Sequence, residues 1–111
     1  MAFVYLIGNR DVDGQFKIGS TKSSTVERRL KQLQTGNDGE LYVYKSFETN
    51  NPFEIEGMMH RKHFLKRGNG EWFALNEDEV SSFMSDCEEC ERIIESLSSN
   101  PFYKKKKQNI V

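Results

Sequence analysis

Two apolar segments near the N-terminus, separated by a polar loop, decide the fold of this chain: residues 3–19 are FVYLIGNRDVDGQFKIG. The β-branched and aromatic run 3–7 stops at Gly8, a pattern typical of a strand. The pair Asp13-Gly14 predicts a turn, and QFKIG after it predicts a second short strand. The segment therefore predicts a β-hairpin.

Helix and strand signals alternate after the hairpin. Ser24 with Glu27 three residues later forms a capping box, which is typical of a helix start. The helix continues as one apolar stripe and can end at Gly36. Apolar and polar residues then alternate over 41–47, which predicts a third strand.

The second half of the chain repeats these start signals. Residues 51–54 (Asn-Pro-Phe-Glu) predict a helix that runs to about Arg67, before a Gly-Asn-Gly break. GEWFAL at 70–75 predicts a short strand or extended segment, and a further cap at Asn76 opens a helix over about 77–98. The sequence predicts an α+β fold with a small, mainly antiparallel three-stranded sheet flanked by helices, and an acidic C-terminal helix.

The length and composition fit one domain. With 111 residues, 36% hydrophobic residues and 13 aromatic side chains, the chain can bury a core of its own. We expect a single domain over 1–99, with the motifs in 3–75, and a flexible lysine-rich tail over 100–111. No apolar run approaches the roughly 20 residues of a membrane span, and the N-terminus lacks the features of a secretory signal. We therefore expect an intracellular protein, in the cytoplasm or nucleus of the producing or host cell, without membrane contact.

The charge is distributed unevenly, although the formal net charge is only −1. Residues 1–75 carry 11 Lys or Arg and 9 Asp or Glu, whereas residues 76–99 carry one Arg and 8 acids. Four lysines follow in the tail, at 104–107. A polyanion should therefore contact the first two-thirds of the chain or the tail. The acidic segment is either a solvated helix face or a surface for a protein partner.

Cysteine spacing does not predict a metal site. Cys87-x-x-Cys90 has no second Cys or His pair at zinc spacing, and Cys87 lies on the apolar stripe of the last predicted helix. We expect both residues to be reduced thiols in the core.

A dispersed set of polar residues carries the functional signal. Tyr5 and Lys17 lie in the two hairpin strands, and Arg29 lies in the first predicted helix. Glu56, His60 and His63 follow at spacings of four and three, which would place them on one helical face. The alternative is an ordinary solvated face opposite the apolar residues of the same helix.

Together these residues resemble the GIY-YIG endonuclease superfamily. Phe3-Val4-Tyr5 stands where the GIY element would be, Lys17-Ile18-Gly19 where YIG would be, and Arg29 precedes a leucine as the superfamily's helical arginine does. Glu56 matches the glutamate that holds the metal. The strings Gly-Ser-Thr, RLKQLQTG, Glu-x-x-x-His and GEWF are similar to the phage- and virus-type branch, which has KIG in place of YIG. The resemblance covers residues 3–75.

The resemblance implies a metal-dependent DNA endonuclease or nicking enzyme that hydrolyses phosphodiester bonds. It implies Mg²⁺ (or Mn²⁺) held by Glu56, a phosphate contact from Arg29, and a water or phosphate contact from Tyr5. Lys17 and His60 complete the candidate catalytic set. Candidate DNA contacts are the basic residues Arg28, Lys31, Lys104, Lys105, Lys106 and Lys107. Because no sizeable DNA-binding region accompanies the motifs, we expect either a weak sequence preference or a partner protein that supplies specificity.

Two departures from the family pattern leave alternatives open. Lys17 replaces the tyrosine that opens YIG, and Leu33 stands where many relatives carry His or Tyr. Lys17, His60 or His63 could take over the missing function, with Lys17 acting either as a base or as a cation. Otherwise the domain is a catalytically silent module that binds nucleic acid or protein. We expect Glu56 to be the only side-chain metal ligand and metal binding to be weak without DNA; zinc bound by His60 or His63 is the competing idea.

Overall fold

Residues 2–22 and 25–99, the part of the chain that this computed structural model describes, form a four-stranded antiparallel sheet with helices on both faces. The elements in chain order are β1 (Phe3–Asn9), β2 (Val12–Thr21), α1 (Val26–Gln34), β3 (Leu41–Glu48), α2 (Pro52–Lys62), a 3-10 turn (Phe64–Lys66), β4 (Trp72–Ala74), α3 (Glu77–Ser81) and α4 (Phe83–Ser98). The predicted α+β class is confirmed.

The sheet has the strand order β3-β1-β2-β4, so the hairpin occupies its centre. The predicted count of three strands is wrong by one, because Trp72–Ala74 pairs with Gln15–Lys17 and forms an edge strand. The reason is apolar burial: Phe73 lies directly across from Phe16 and is completely buried. A short aromatic segment can therefore join a sheet when it covers the core.

Alternation along the strands divides the core into two layers. The larger layer lies between the sheet and the helices α2, α3 and α4, and contains Leu6, Ile18, Ile55 and Phe83 among others. The smaller layer lies under α1 and contains Tyr5, Ile7, Val26 and Leu41, with Leu30 and Leu33 packed against it. Leu33 is thus a packing residue on the inner side of α1.

The hairpin turn lies earlier than predicted. Asn9 pairs with Val12, so the chain reverses at Arg10–Asp11, and the side chain of Asn9 accepts a hydrogen bond from the Asp11 amide at 2.9 Å. The predicted turn at Asp13-Gly14 is instead part of an irregularity inside β2, where Gly8 pairs with Phe16. Gly14 has a φ of 77° there, a conformation that glycine adopts without a steric penalty.

Two of the three predicted helices end or begin elsewhere. The side chain that caps α1 belongs to Thr25, and Ser24 lies outside the described residues. α2 ends at Lys62 and does not reach Arg67. The sequence explains this, because after Met59 the positions that would face the sheet are polar and offer no apolar area to bury.

The predicted helix over about 77–98 is two helices. The capping box between Asn76 and Glu79 is present and starts α3, as predicted. Ser82 then interrupts the helix, and its hydroxyl bonds to the Glu79 carbonyl at 3.3 Å and to the Asp86 carboxylate at 2.9 Å. Serine favours such local side-chain bonds, which compete with a continuous helix.

The two cysteines behave as core residues. Cys87 and Cys90 are free and buried, as predicted, and burial raises the pKa of the Cys87 thiol to about 12.

In the part of the chain that the structure describes, no helix has the length and apolar character needed to cross a membrane. The predicted tail over 100–111, with its four lysines, lies outside the described residues, so the domain boundary and the tail stay predictions.

Two positions in the central strands must be glycine, because a tyrosine ring packs directly against each of them. Gly19 is the cross-strand partner of Tyr5, and a Cβ atom on Gly19 would lie 2.5 Å from the Tyr5 hydroxyl oxygen and 2.6 Å from Cζ. Gly8 stands in the same relation to Tyr42, with a nearest approach of 2.5 Å. Because Tyr5 is buried and cannot swing aside, any side chain at position 19 would force the two strands apart.

We predict that Gly19→Ala destabilises the protein by about 1–3 kcal/mol, the usual cost of forcing a methyl group into a filled core. Gly36→Ala is the matched control, because nothing lies within 4 Å of the Cβ it would add. That variant should stay within about 0.5 kcal/mol of wild type. Urea denaturation measures both, and equal stability of the two variants would contradict the argument.

Candidate active site

The short β4 leaves the end of β2 without a strand beside it. β4 pairs with residues Gln15–Lys17 only, and the Ile18 amide makes one further bond to the Glu71 carbonyl at 3.2 Å. Side chains from both faces of the sheet converge on this edge, which we call the β2 edge (residues 18–21). It holds the candidate site.

Tyr5 and Arg29 reach the β2 edge from the α1 side of the sheet. The ring of Tyr5 is only 1% exposed, and Arg29 Nε donates to its hydroxyl oxygen at 3.4 Å. Arg29 Nη1 also donates to Gln32 Oε1 at 3.1 Å, which fixes the guanidinium along α1. Burial raises the pKa of Tyr5, against the opposing effect of Arg29. Tyr5 therefore keeps its proton at neutral pH and is a hydrogen-bond donor.

Glu56 approaches the same edge from the α2 side. Its Oε1 atom accepts a hydrogen bond from Ser20 Oγ at 2.5 Å. Ile55 and Met59 on the neighbouring face of α2 are completely buried and anchor the helix to the sheet, so the position of Glu56 is well defined. Ser20 was not among the predicted site residues.

His60 is held by the backbone of the edge strand. Its Nε2 atom lies 2.8 Å from the Ile18 carbonyl oxygen and 3.7 Å from Glu56 Oε2, and its ring packs on Phe73 with centroids 5.0 Å apart. Because a carbonyl oxygen can only accept, Nε2 carries the proton. Nδ1 is then the accepting nitrogen of the neutral ring, and Nε2 is not free to bind a metal.

Glu71 is a site residue that the sequence analysis missed. It precedes β4 directly, and its carboxylate lies 3.3 Å from Lys17 Nζ. One ligand atom each from Glu56, His60 and Glu71 lies within 4.8 Å of the others. Two carboxyl groups, an imidazole and an ammonium group are thus gathered at the β2 edge.

The two carboxyl groups influence each other's ionisation. Burial raises the pKa of Glu56, the Ser20 hydrogen bond opposes this, and the neighbouring Glu71 raises it further. Burial alone would also raise the pKa of Glu71, but the hydrogen bond from Glu56 and the charge of Lys17 outweigh it, and the net shift is downward. Glu71 therefore ionises first, and Glu56 keeps its proton to higher pH. A bound cation would replace that proton.

The five predicted catalytic residues all lie around the β2 edge: Tyr5, Lys17, Arg29, Glu56 and His60. Both carboxylates are close enough to Tyr5 to raise its pKa, which links the two faces of the site. Their catalytic roles stay predictions. Ser20 and Glu71 both belonged to strings singled out in the sequence, Gly-Ser-Thr and GEWF, but their contact with Glu56 depends on the tertiary fold.

His63 does not join the site, so the prediction of a three-residue face is wrong. It lies beyond the last residue of α2 with a φ of −111°, is 4% exposed, and has Nδ1 3.5 Å from Glu79 Oε2. Its Nε2 atom has no hydrogen-bond partner among the described residues. The early end of α2 turns the imidazole toward α3 and away from Glu56.

The β2 edge of this small α+β domain thus gathers carboxyl groups and basic side chains in one place. Comparison with known families assigns the domain to a family that is associated in general with nuclease-like or DNA-binding roles. The profile of the T5orf172 domain matches residues 2–88, and the chain belongs to this family of phage-associated domains, which is related to nuclease-type folds. Neither the curated proteins nor the solved structures gave a significant match.

Burial of His63 predicts a pH dependence of stability. Burial lowers the pKa of His63 below its ordinary value of 6.5, although Glu79 opposes the shift. Below pH 6.5 the unfolded chain therefore binds a proton that the folded chain does not, and the free energy of unfolding falls as the pH drops further. His63→Gln should remove this part of the decline. Urea denaturation between about pH 7 and 5 measures the free energy of unfolding at each pH. If this free energy declines with the same slope in the variant as in wild type, the prediction is contradicted.

Proposed function

We propose that this protein is a divalent-metal-dependent DNA endonuclease or nicking enzyme of the GIY-YIG type, which hydrolyses phosphodiester bonds. The proposal rests on one observation: two carboxyl groups and two basic side chains lie together at the β2 edge. They belong to Glu56, Glu71, Lys17 and Arg29. A carboxylate beside a phosphate is repulsive unless a cation lies between them. Carboxylates and phosphate-binding side chains at one place therefore favour a metal ion and a phosphate as joint ligands.

The donor set suits Mg²⁺ or Mn²⁺. Both ions prefer oxygen ligands, and Mg²⁺ is commonly held by one or two carboxylates with substrate phosphate and water. Glu56 was the one ligand predicted from the sequence, and we add Glu71 as the second. When bound, the cation supplies charge stabilisation for the scissile phosphate. Zinc is disfavoured because two of the three candidate ligand residues, Glu56 and Glu71, offer carboxylate oxygen atoms, which suit Mg²⁺ and Mn²⁺ better.

The side chains around the metal position would bind the phosphate, position the attacking water and accept its proton. The planar guanidinium of Arg29 suits two phosphate oxygens, and the Tyr5 hydroxyl donates a hydrogen bond to phosphate or to the attacking water and keeps its proton. The water oxygen forms a bond to phosphorus as the bond to the leaving oxygen breaks, and the leaving oxygen takes up a proton from solvent. In the neutral ring, Nδ1 of His60 can accept the proton released by the water. Lys17 acts as a cation, because it is already ion-paired with Glu71.

The charge distribution favours DNA approach from the α1 side. Arg28 and Lys31 lie on α1, Arg28 is exposed, and neither makes an ion pair with a carboxylate of the described residues. The acidic helices instead neutralise basic side chains near the end of α2, at Lys62–Asp86 and Lys66–Glu79. The lysine tail would add a non-specific contact, and a partner protein could add specificity.

A catalytically silent binding module is the second candidate. It is favoured by Leu33, which packs into the smaller core layer and supplies no functional group where many relatives of the GIY-YIG type have one. Against it stands the presence of two carboxylates at the edge, which would weaken phosphate binding without a metal. Activity on plasmid DNA separates the two.

We predict that the protein nicks supercoiled plasmid with Mg²⁺ or Mn²⁺ and is inactive with chelator. Glu56→Gln and Glu71→Gln should each lower the rate on the order of 10²–10³-fold, since each removes charge that holds the metal. Glu40→Gln is the control, because Glu40 is exposed and pairs with Arg10 near the hairpin turn. It should cut like wild type.

Metal binding gives a second measurement for the same variants. Mn²⁺ titration by calorimetry should show binding in wild type and Glu40→Gln and a loss in Glu56→Gln and Glu71→Gln. Tight Zn²⁺ binding that survives Glu56→Gln and disappears in His60→Ala would refute the carboxylate assignment. Normal metal binding without any cutting would favour the silent module.

Lys17 is predicted to act through its charge. Lys17→Arg should keep most of the single-turnover rate, whereas Lys17→Ala should lose it, because arginine keeps the cation but does not deprotonate. The pH–rate profile of Lys17→Arg should resemble that of wild type. If arginine fails as badly as alanine, the lysine is the base and His60 is not.

A further inference from the structure

The first turn of α2 carries an exposed aromatic ring beside the candidate site. Phe53 is 59% exposed, although its neighbours Pro52 and Ile55 are buried. Phe53, Glu56 and His60 follow at i, i+3 and i+7, so they share one side of the helix. The ring of Phe53 therefore stands at the rim of the site, one turn before Glu56.

A cation from β2 lies over the same ring. Lys22 Nζ is 5.9 Å from the centroid of the Phe53 ring. Lys22 follows two residues after Ser20, whose hydroxyl donates to Glu56, so the sheet side independently places this pair next to the site. Among the described residues Lys22 makes no ion pair with a carboxylate, and its charge is available to a phosphate.

We propose that Phe53 and Lys22 bind an unpaired nucleotide next to the scissile phosphate, with the base stacked on the phenyl ring and the adjoining phosphate at Lys22. In continuous duplex DNA the faces of each base are covered by its neighbours, so the ring would have nothing to stack on. Every base offers a π face, and such stacking tolerates any sequence. The substrate class is DNA with a single-stranded segment at the cut, such as a flap or an overhang. The inference rests on the proposed nuclease site.

The surroundings of Phe53 favour a nucleotide on the Lys22 side of the ring. On its other side, the lining of the groove between α2 and α4 includes two carboxylates, of Glu54 and Glu95, and one guanidinium, of Arg61, so the charged groups there are acidic on balance. Another exposed phenylalanine, Phe64, is 65% exposed but lies in the 3-10 turn beyond the C-terminal end of α2. Phe64 is thus a matched control that has the same ring and similar exposure without the neighbouring site.

The test compares DNA binding by fluorescence anisotropy in chelator, where metal-dependent cutting is absent and the repulsion between the two carboxylates and phosphate affects every variant and both probes alike. One probe is a duplex of about 20 base pairs. The other is the same duplex with a short 5′ flap that carries 2-aminopurine as its first unpaired base. Phe53→Ala should weaken flap binding by about 5- to 150-fold, as expected for one lost base stack of about 1–3 kcal/mol. Its duplex affinity should change less than about twofold, and thermal melting should match wild type.

Two further variants sharpen the result. Phe53→Trp should keep flap binding and quench 2-aminopurine more strongly, because the larger ring still stacks. Phe64→Ala should bind both probes like wild type. Equal losses on flap and duplex, no loss on either, or the same loss from Phe64→Ala would overturn the proposal. A protein that cuts plasmid but has no flap preference refutes this inference alone, whereas flap binding through Phe53 without cutting refutes only the proposed nuclease activity.

Discussion

The Tyr5–Gly19 pair is the contact on which the rest of the structure depends. The tyrosine ring lies across its cross-strand glycine so closely that no Cβ atom fits between them. This contact fixes the register of β1 and β2, and in a sheet a slip of one residue moves every side chain to the opposite face. In the observed register Ile18 enters the large core layer, Ser20 reaches Glu56, and Lys17 lies on the opposite side. One steric constraint thus positions residues on both faces of the site.

Charge balance is the second constraint at the β2 edge. The two neighbouring carboxyl groups oppose each other's ionisation: burial and Glu71 raise the pKa of Glu56, whereas the hydrogen bond with Glu56 and the charge of Lys17 lower the pKa of Glu71. A divalent cation held by both carboxyl groups would favour the ionised form of each and would compete with Lys17 for Glu71. Lys17 would then be available to phosphate at the same time as the metal. On the acidic helices, Asp86 and Glu79 are paired with lysines away from this edge.

The sequence predicted the parts of the fold that depend on local patterns, and missed those that depend on distant contacts. The hairpin, the α+β class and the order of helices follow from periodicity and caps, and Tyr5, Arg29 and Glu56 follow from spacing within a family pattern. Glu71 could not be predicted, because its approach to Glu56 requires β4 to pair with β2. His63 was misplaced because helical spacing assumes that the helix continues, whereas the polar residues after Met59 give it no core to cover.

The site lies at the sheet edge because the edge strand stops there. The backbone of Ile18 points its amide and carbonyl toward the β4 side, where the amide bonds to the Glu71 carbonyl and the carbonyl accepts from His60. A longer β4 would take the Ile18 carbonyl into the ladder and displace the imidazole. An open edge also invites unwanted strand pairing, which proteins commonly prevent with charged side chains. Lys17 and Lys22 border this edge, so the charges that would attract a phosphate also protect the strand from pairing with another chain.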